Sequence, residues 1–258
     1  MTVSHALQAK RRLSNTPISE GERQARTDLA ACYRLAALNG WDDMVYTHIS
    51  ARIPGTHDFL INPFGLGFDE ITASSLVKID LDGNIIGDSP YAVNAAGFTI
   101  HSAVHQARPE IGCVMHLHTE AGMALSMMQD GLLPTSQHAM RFYNRIGYHD
   151  YEGIALSLDE RQRLIADLGA HKVMVLRNHG TLTAGATVAE AYTLMFYLEK
   201  AARAQLRAMS ATDRILLPPN DVAEHTARQF EGDDIPAGDR EWPAALRKLD
   251  RLDPDWRE

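Results

Sequence analysis

Residues 111–118 read Ile-Gly-Cys-Val-Met-His-Leu-His, and this stretch predicts a buried strand that ends in two histidines. Successive side chains of a strand point to opposite faces, so His116 and His118 share one face, with their Cβ atoms roughly 6–7 Å apart. Two imidazoles at that separation can converge on one metal ion, each ring nitrogen lying about 2.0–2.1 Å from it. The pair alone is weak support for a metal, because closely spaced histidines also occur without one.

A third histidine strengthens the metal hypothesis. His179 follows a second apolar strand, predicted over 172–177, and Gly180 would let the backbone turn sharply so that the ring projects from the strand end. Three histidine ligands leave one coordination position open for water or substrate, which is typical of catalytic rather than structural metal sites. The sequence therefore predicts a catalytic metal centre built from His116, His118 and His179.

A second pair of histidines is a rival for metal binding. His101 and His105 lie four residues apart on a helix predicted over 95–107, so they share a face. We favour the simpler interpretation, in which both rings are solvated or hydrogen-bonded to backbone.

Hydrophobic periodicity divides the rest of the chain into helices and strands. Helices are predicted over 20–39, 95–107, 120–128, 157–169 and 187–210. Strands are predicted over 46–53, 59–62, 76–80, 84–87, 111–117 and 172–177. Two capping boxes, Ser157 with Glu160 and Thr187 with Glu190, mark the starts of the last two helices. Because strands and helices mix without strict alternation, we expect one layered α/β domain with a mixed sheet.

The sequence pattern divides the chain into three parts. Residues 1–18 are predicted to form a flexible arm, and they carry no apolar stretch of the kind that a secretory signal requires. Residues 19–210 form the main domain. Residues 211–258 contain a Pro-Pro pair, an acidic stretch and two scattered tryptophans. We predict that this C-terminal part is an extended tail that packs at a subunit interface.

Composition narrows the class of protein. The 258 residues are 45% hydrophobic, which is ample for a sizeable core, and the formal net charge is −8. No window approaches the roughly 18 unbroken apolar residues of a membrane helix. Apart from residues 10–12 there is no basic cluster that would favour nucleic acid. We expect a cytoplasmic protein that binds neither membrane nor nucleic acid, with Cys32 and Cys113 as buried free thiols.

Several segments together resemble the adducin-like branch of the class II aldolase/adducin family, from about residue 20 to 209. They are Asn62-Pro63-Phe64-Gly65-Leu66, residues 71–80, Phe98 to His101, Ala107-Arg108-Pro109, His116-Leu117-His118-Thr119 and Leu176-Arg177-Asn178-His179-Gly180. The resemblance implies a three-layer α/β/α fold with a mixed central sheet, a homotetramer with active sites at subunit interfaces, and a small-molecule substrate. In the lyases of this family three histidines hold zinc, and they match His116, His118 and His179. Three neutral imidazoles also suit Fe, Mn or Co.

The chain departs from the sugar-phosphate lyases of that family at the substrate site. Those enzymes carry a glutamate that binds the metal and transfers a proton, and Gly97 stands in its place. A Gly-Asn pair and a Ser-Ser pair of their phosphate pocket are replaced by Thr47-His48 and Ala95-Ala96. Alanine has no side-chain donor for a phosphate. The substrate-binding positions that the resemblance implies are Asn62, Gly65, Ala95 and Ala96.

The missing glutamate requires another proton carrier. His48 and His138 are candidates because an imidazole titrates near neutral pH, and His138 falls loosely at the position of a tyrosine of the lyases. Tyr151 is a third candidate. A packing or hydrogen-bonding role is the alternative for each of the three.

The retained ligands and the lost phosphate residues together predict a metal-dependent lyase. It would catalyse aldol cleavage, decarboxylation or related enolate chemistry on a small non-phosphorylated carbonyl or hydroxy acid; some relatives decarboxylate aromatic hydroxy acids. One alternative is a non-catalytic assembly module, like the head domain that animal adducins use within a membrane-skeleton protein that binds spectrin and actin. A second alternative is an iron-dependent oxygenase on the same fold. We favour the lyase because all three ligand histidines are present.

The resemblance also predicts the oligomeric state. The long helix from residue 187 and the C-terminal tail carry more apolar surface than a monomer should expose. Light scattering at micromolar concentration should therefore give about four times the 28.6 kDa chain mass. A monomeric mass would contradict the tetramer and, with it, an active site between subunits.

Overall fold

The computed structural model describes residues 6–7, 9–12, 17–232 and 236–257. Within them the strands are β1 (Arg11–Arg12), β2 (His48–Arg52), β3 (Phe59–Ile61), β4 (Val77–Ile79), β5 (Ile85–Ile86), β6 (Cys113–Leu117), β7 (Ile146–His149), β8 (Val173–Leu176) and β9 (Gly180–Gly185). The α-helices are α1 (Glu20–Leu38), α2 (Ala95–Ala107), α3 (Glu120–Ser126), α4 (Gln137–Met140), α5 (Glu160–Leu168), α6 (Val188–Ala211), α7 (Asn220–Glu231) and α8 (Glu241–Leu252). Short 3-10 helices cover Phe68–Glu70 and Pro254–Arg257.

All of these strands belong to one sheet, in the order β1-β5-β4-β3-β2-β6-β9-β8-β7. The pairs β1/β5 and β7/β8 are parallel, and the other neighbours are antiparallel, which confirms the mixed sheet. The sequence analysis missed β1, β7 and β9. Residues 180–185 of β9 read Gly-Thr-Leu-Thr-Ala-Gly, which is too poor in large apolar side chains to stand out, and the flanking strands β6 and β8 hold this segment in the sheet.

Helices cover both faces of the sheet and complete the expected three layers. On one face α1, α3, α6 and α8 share a core with Met115 and Leu117 of β6. On the other face α2 and α5 pack on Val114 of the same strand. His116 lies two residues after Val114, so its side chain points to the same face of the sheet, toward the α2 layer. None of the described helices combines the length and apolarity needed to cross a membrane.

Capping explains where most helices begin. Ser19 and Thr187 accept hydrogen bonds from backbone N–H groups in the first turns of α1 and α6, so the predicted cap of α6 is present. The predicted Ser157 cap is wrong. Helix α5 begins at Glu160, one residue after Asp159, and the Glu160 carboxylate lies 3.5 Å from His149 instead of returning to Ser157.

The two ends of the chain are more ordered in the fold than their composition suggests. In the described part of the N-terminal arm, Arg11–Arg12 adds a parallel strand beside Ile85–Ile86. The C-terminal part is not extended, since it forms α7 and α8. The side chains of Trp242, Leu249 and Trp256 are buried in the core that α1 and α6 line. Burial of these large apolar groups favours helices docked on the domain over an extended tail.

The rival histidine pair has a structural explanation. His101 and His105 are fully buried, and both face Ser50 of β2. The Ser50 hydroxyl lies 2.6 Å from His101 Nδ1 and 2.8 Å from His105 Nε2. One hydroxyl therefore partners two imidazoles, and the expectation that these rings are solvated or bonded to backbone is wrong.

Burial of this pair predicts acid sensitivity of the fold. Desolvation, together with the Arg52 charge, lowers the pKa of His105 to about 3. An unfolded histidine titrates near 6.5, so below that pH the unfolded chain binds the proton more readily. This single group should remove about 1.4 kcal/mol of unfolding free energy per pH unit as pH falls from 6.5 toward 3.

Urea unfolding in EDTA at pH 7.5 and pH 5 measures the effect. His105→Phe, which keeps a ring against Phe59, should show a smaller loss of stability on acidification than the wild type. His225→Phe, a change at an exposed histidine, is the control and should behave as the wild type. Equal pH dependence in all three proteins would contradict the prediction.

Candidate metal centre

Strand pairing brings the three predicted ligands together. His116 lies on β6, His118 immediately follows β6, and His179 lies in the turn between β8 and β9. Their ligand atoms all fall within 4.8 Å of one another, and His116 Nε2 is 3.1 Å from His118 Nε2. Two nitrogens bound to one tetrahedral ion at 2.0–2.1 Å would be about 3.3 Å apart. The predicted histidine cluster is therefore present in a geometry that suits a metal ion.

Hydrogen bonds to the far side of two rings orient these ligands. His116 Nδ1 lies 3.1 Å from the Thr181 carbonyl oxygen and donates to it. His118 Nδ1 lies 2.8 Å from Asp43 Oδ2. A ring that donates from Nδ1 leaves the Nε2 lone pair free for a metal, and such partners fix both the tautomer and the orientation of the ring. The sequence analysis missed Asp43, which reaches the site only through the tertiary fold.

The third ligand is held by an unusual turn. Asn178 has a left-handed φ of 54°, and the His179 N–H lies 3.1 Å from both Ser126 Oγ and the Leu176 carbonyl. Gly180 serves close packing here: a Cβ atom on it would lie 2.5 Å from the Leu117 carbonyl oxygen. Gly180 is thus required because two strands approach closely at that position. The left-handed residue of the sharp turn is Asn178 instead.

Burial favours the neutral form of two of the ligand imidazoles, those of His116 and His179. Desolvation, with smaller contributions from the neighbouring histidines, lowers the pKa of His116 well below its usual 6.5. The same causes lower the pKa of His179 to about 4. Neutral imidazole is the form that binds metals, so at pH 7 no proton has to leave either ring before an ion enters. The three-histidine donor set and its spacing, together with the neutral rings of His116 and His179, therefore fit a divalent ion.

A cavity of about 470 Å³ opens beside the three histidines. Besides the ligands, its walls are formed by Tyr46, Thr47, His48, Asn94, Ala96, Ile100, Tyr151, Gly153, Ile154, Ala155 and Asn178. Of the predicted site residues, His48, Tyr151 and Ala96 thus lie with the metal ligands. Asn94 was missed although a signal existed, since it precedes a predicted helix and its side chain caps that helix.

The remaining predicted residues lie outside the lining of this cavity. The His138 ring packs on Tyr197, with ring centroids 4.8 Å apart, on the opposite helical layer. Asn62 accepts a hydrogen bond from the Tyr33 hydroxyl at 2.9 Å. Gly65 and Ala95 are not among the lining residues. Within a single chain these four residues therefore lie outside the described lining of the cavity.

His48 fills the space above Gly97. A Cβ atom on Gly97 would lie 2.6 Å from His48 Cδ2 and 3.0 Å from His48 Nε2. The His48 ring also lies beside His116, with ring centroids 5.6 Å apart, and its Nδ1 has no hydrogen-bond partner among the described residues. Burial and nearby histidines, chiefly His101, lower the pKa of His48 well below 6.5. A neutral imidazole thus stands where a side chain from position 97 would otherwise project.

Comparison with known families adds to this geometry. The family described as Class II Aldolase and Adducin N-terminal domain matches residues 27–206. The chain belongs to this family. A protein of Caulobacter vibrioides whose name places it with class 2 aldolases is 55% identical over 241 residues, covering 93% of this chain and 94% of its own length. Alpha-adducin of Rattus norvegicus is 40% identical over 90% of this chain, which spans only 34% of that adducin.

Solved structures of the family share the fold. An aldolase II superfamily protein from Pseudomonas syringae is 49% identical, with a TM-score of 0.89 over 93% of this chain and 98% of that one. L-fuculose 1-phosphate aldolase from Glaciozyma antarctica is 28% identical, with a TM-score of 0.83 over 96% of this chain and 97% of the aldolase. The three-layer arrangement is thus the class II aldolase fold.

The geometry predicts how metal affinity responds to substitution. His116→Ala and His179→Ala should each lose the ion, because each removes one of three ligands. Asp43→Asn should weaken binding by about 10–100-fold, the usual cost of losing a carboxylate behind a ligand histidine. Elemental analysis and titration against a competing chelator measure both effects.

Asp42→Asn is the matched control, since Asp42 is the exposed neighbour of Asp43, and it should keep wild-type affinity. Wild-type metal content in His116→Ala or His179→Ala would contradict the assignment of the centre.

Proposed function

We propose that the protein is a metal-dependent lyase that acts on a small, non-phosphorylated carbonyl or hydroxy-acid substrate. The observation that carries this proposal is the cluster of three closely spaced imidazoles, which opens into a cavity. A divalent ion held there, zinc foremost with Fe, Mn and Co as alternatives, would polarise a carbonyl or carboxylate oxygen and stabilise enolate charge. Aldol cleavage, decarboxylation and related reactions all require that stabilisation.

The chain's own residues would bind the substrate and move its proton. His48 lines the cavity beside His116 and occupies the room above Gly97. We assign His48 the role of proton carrier, because no carboxylate is among the described residues that line the cavity and the neutral ring can accept a proton. Burial holds its pKa below the near-neutral value expected from the sequence. Tyr151 also lines the cavity and is half exposed, so it is placed to hydrogen-bond the substrate at the entrance.

The lining argues against a sugar phosphate as substrate. Within the part of the chain that the structure describes, no lysine or arginine lines the cavity, and Ala96 offers no side-chain donor. The L-fuculose 1-phosphate aldolase of Glaciozyma antarctica has the same fold and is 28% identical to this chain. A shared fold does not imply a shared substrate.

A non-catalytic assembly module is the second candidate, and the 40% identity to alpha-adducin favours it. Asp43 and the Thr181 carbonyl bond the Nδ1 atoms of His118 and His116, which leaves the Nε2 atoms free to bind a metal. We prefer the enzyme because a module that only binds proteins would not need this arrangement. In either case we propose a homotetramer, in which exposed faces of the C-terminal helices contact a neighbouring subunit.

The protein should not cleave sugar phosphates. Fuculose 1-phosphate and rhamnulose 1-phosphate should show negligible turnover in a coupled assay. The described lining of the cavity offers the phosphate group no lysine or arginine, and no carboxylate at residue 97 would transfer the proton. Enzymes commonly turn over at about 1–1000 s⁻¹. A rate near 1 s⁻¹ or above with the metal-loaded protein would contradict the prediction.

Enolate chemistry can be tested before the substrate is known. A panel of small hydroxy acids and carbonyl compounds, incubated in D₂O with metal-loaded protein, should include a member whose carbon-bound hydrogen exchanges for deuterium, as read by NMR. His179→Ala should abolish that exchange. Exchange in no member of the panel, with a full metal complement, would favour the assembly module.

His48→Gln then separates two roles for this residue. Loss of a proton carrier should keep the metal but lower kcat by about 10²–10⁴-fold. If His48 only hydrogen-bonds the substrate, KM should rise with kcat nearly unchanged. Gly97→Ala should reproduce the defect, because its Cβ would displace the ring. Wild-type kcat and KM in His48→Gln would exclude both roles.

A further inference from the structure

The cavity divides into two chemically different regions. The metal ligands form one region. The rest of the wall includes Ala96 and Ile100 of α2 and Ile154 and Ala155 of the loop between β7 and α5. Ile100 and Ala155 are each 2% exposed, whereas Ile154 is 60% exposed at the rim. Part of the wall that faces the substrate is therefore apolar from the interior to the entrance.

The same wall carries no formal charge. Among the described residues that line the cavity there is no lysine, arginine, aspartate or glutamate, and the polar members apart from histidines are Tyr46, Thr47, Asn94, Tyr151 and Asn178. An ionised group moved from water to such a wall would lose its hydration and gain no partner of opposite charge, which is strongly unfavourable. Any charge on the substrate therefore has one favourable place, beside the bound ion.

We infer that the substrate joins an oxygen-bearing, metal-chelating head to an uncharged apolar tail, and that Ile100 and Ile154 select for that tail. This inference rests on the proposed function, since the head needs the metal. It goes further by assigning a specificity role to two residues that hold neither metal nor proton. Apolar side chains with few polar groups are the usual lining of sites that bind apolar ligands.

Hydroxamates test the inference without knowledge of the reaction, because they chelate a bound divalent ion and can carry different tails. Acetohydroxamate, benzohydroxamate and phosphonoacetohydroxamate would be titrated into cobalt-loaded protein and followed by the visible absorption of the cobalt. Benzohydroxamate should bind at least tenfold more tightly than acetohydroxamate, because its ring is removed from water. Phosphonoacetohydroxamate should bind no more tightly than acetohydroxamate.

Ile154→Asn is the informative variant, because Ile154 is exposed and its replacement leaves the core intact. It should reduce the preference for benzohydroxamate several-fold and leave acetohydroxamate binding unchanged. Leu158→Asn, at an exposed residue outside the lining, is the matched control and should keep the preference. Ile100→Asn should have a larger effect, provided that its unfolding transition matches that of the wild type.

The outcomes separate this inference from the proposed function. Failure of the protein to take up cobalt would overturn the proposed function and the inference together. Cobalt uptake with equal affinity for the acetyl and benzoyl probes would overturn only the inference. So would tighter binding of the phosphonate probe, since a cation, supplied for example by a neighbouring subunit, would then face the tail.

Discussion

Strand β6 is hydrogen-bonded along both edges, to β2 on one side and β9 on the other. Because its side chains alternate, Met115 and Leu117 enter the core under α1 and α6 while His116 faces α2. A slip of one residue would exchange the two sets, burying an imidazole among apolar groups and turning leucine and methionine toward the cavity. The apolar packing of one face of the sheet thus fixes the position of a metal ligand on the other.

The same register aligns the neighbours of the centre. His48 of β2 lies opposite His116 of β6, and Thr181 of β9 lies opposite Leu117 of β6. The first pairing brings the proposed proton carrier to the ligand, and the second brings the carbonyl that orients His116. Three antiparallel strands therefore bring together one ligand, the carbonyl that orients it and the proposed proton carrier.

Local pattern was sufficient to predict much of this arrangement. The apolar run ending in His116 and His118 marks a buried strand, and the periodicity of residues 95–107 matches α2 residue for residue. What could not be predicted depends on distant parts of the chain. Asp43 meets His118 across 75 residues, and β9 is recognisable as a strand only from its neighbours. Gly97 leaves space for the His48 ring, and this could not be predicted either, because it depends on how α2 packs against β2.

The docked C-terminal helices have a consequence for where the domain ends. The family match stops at residue 206, yet Trp242 and Trp256 lie in the same apolar core as Leu35 of α1, and Trp242 Nε1 donates to Asp28 at 3.3 Å. A chain cut at the boundary of the match would expose that core to water. The cooperative folding unit is therefore longer than the segment by which the family is recognised, and a fragment chosen from the match alone would be prone to aggregate.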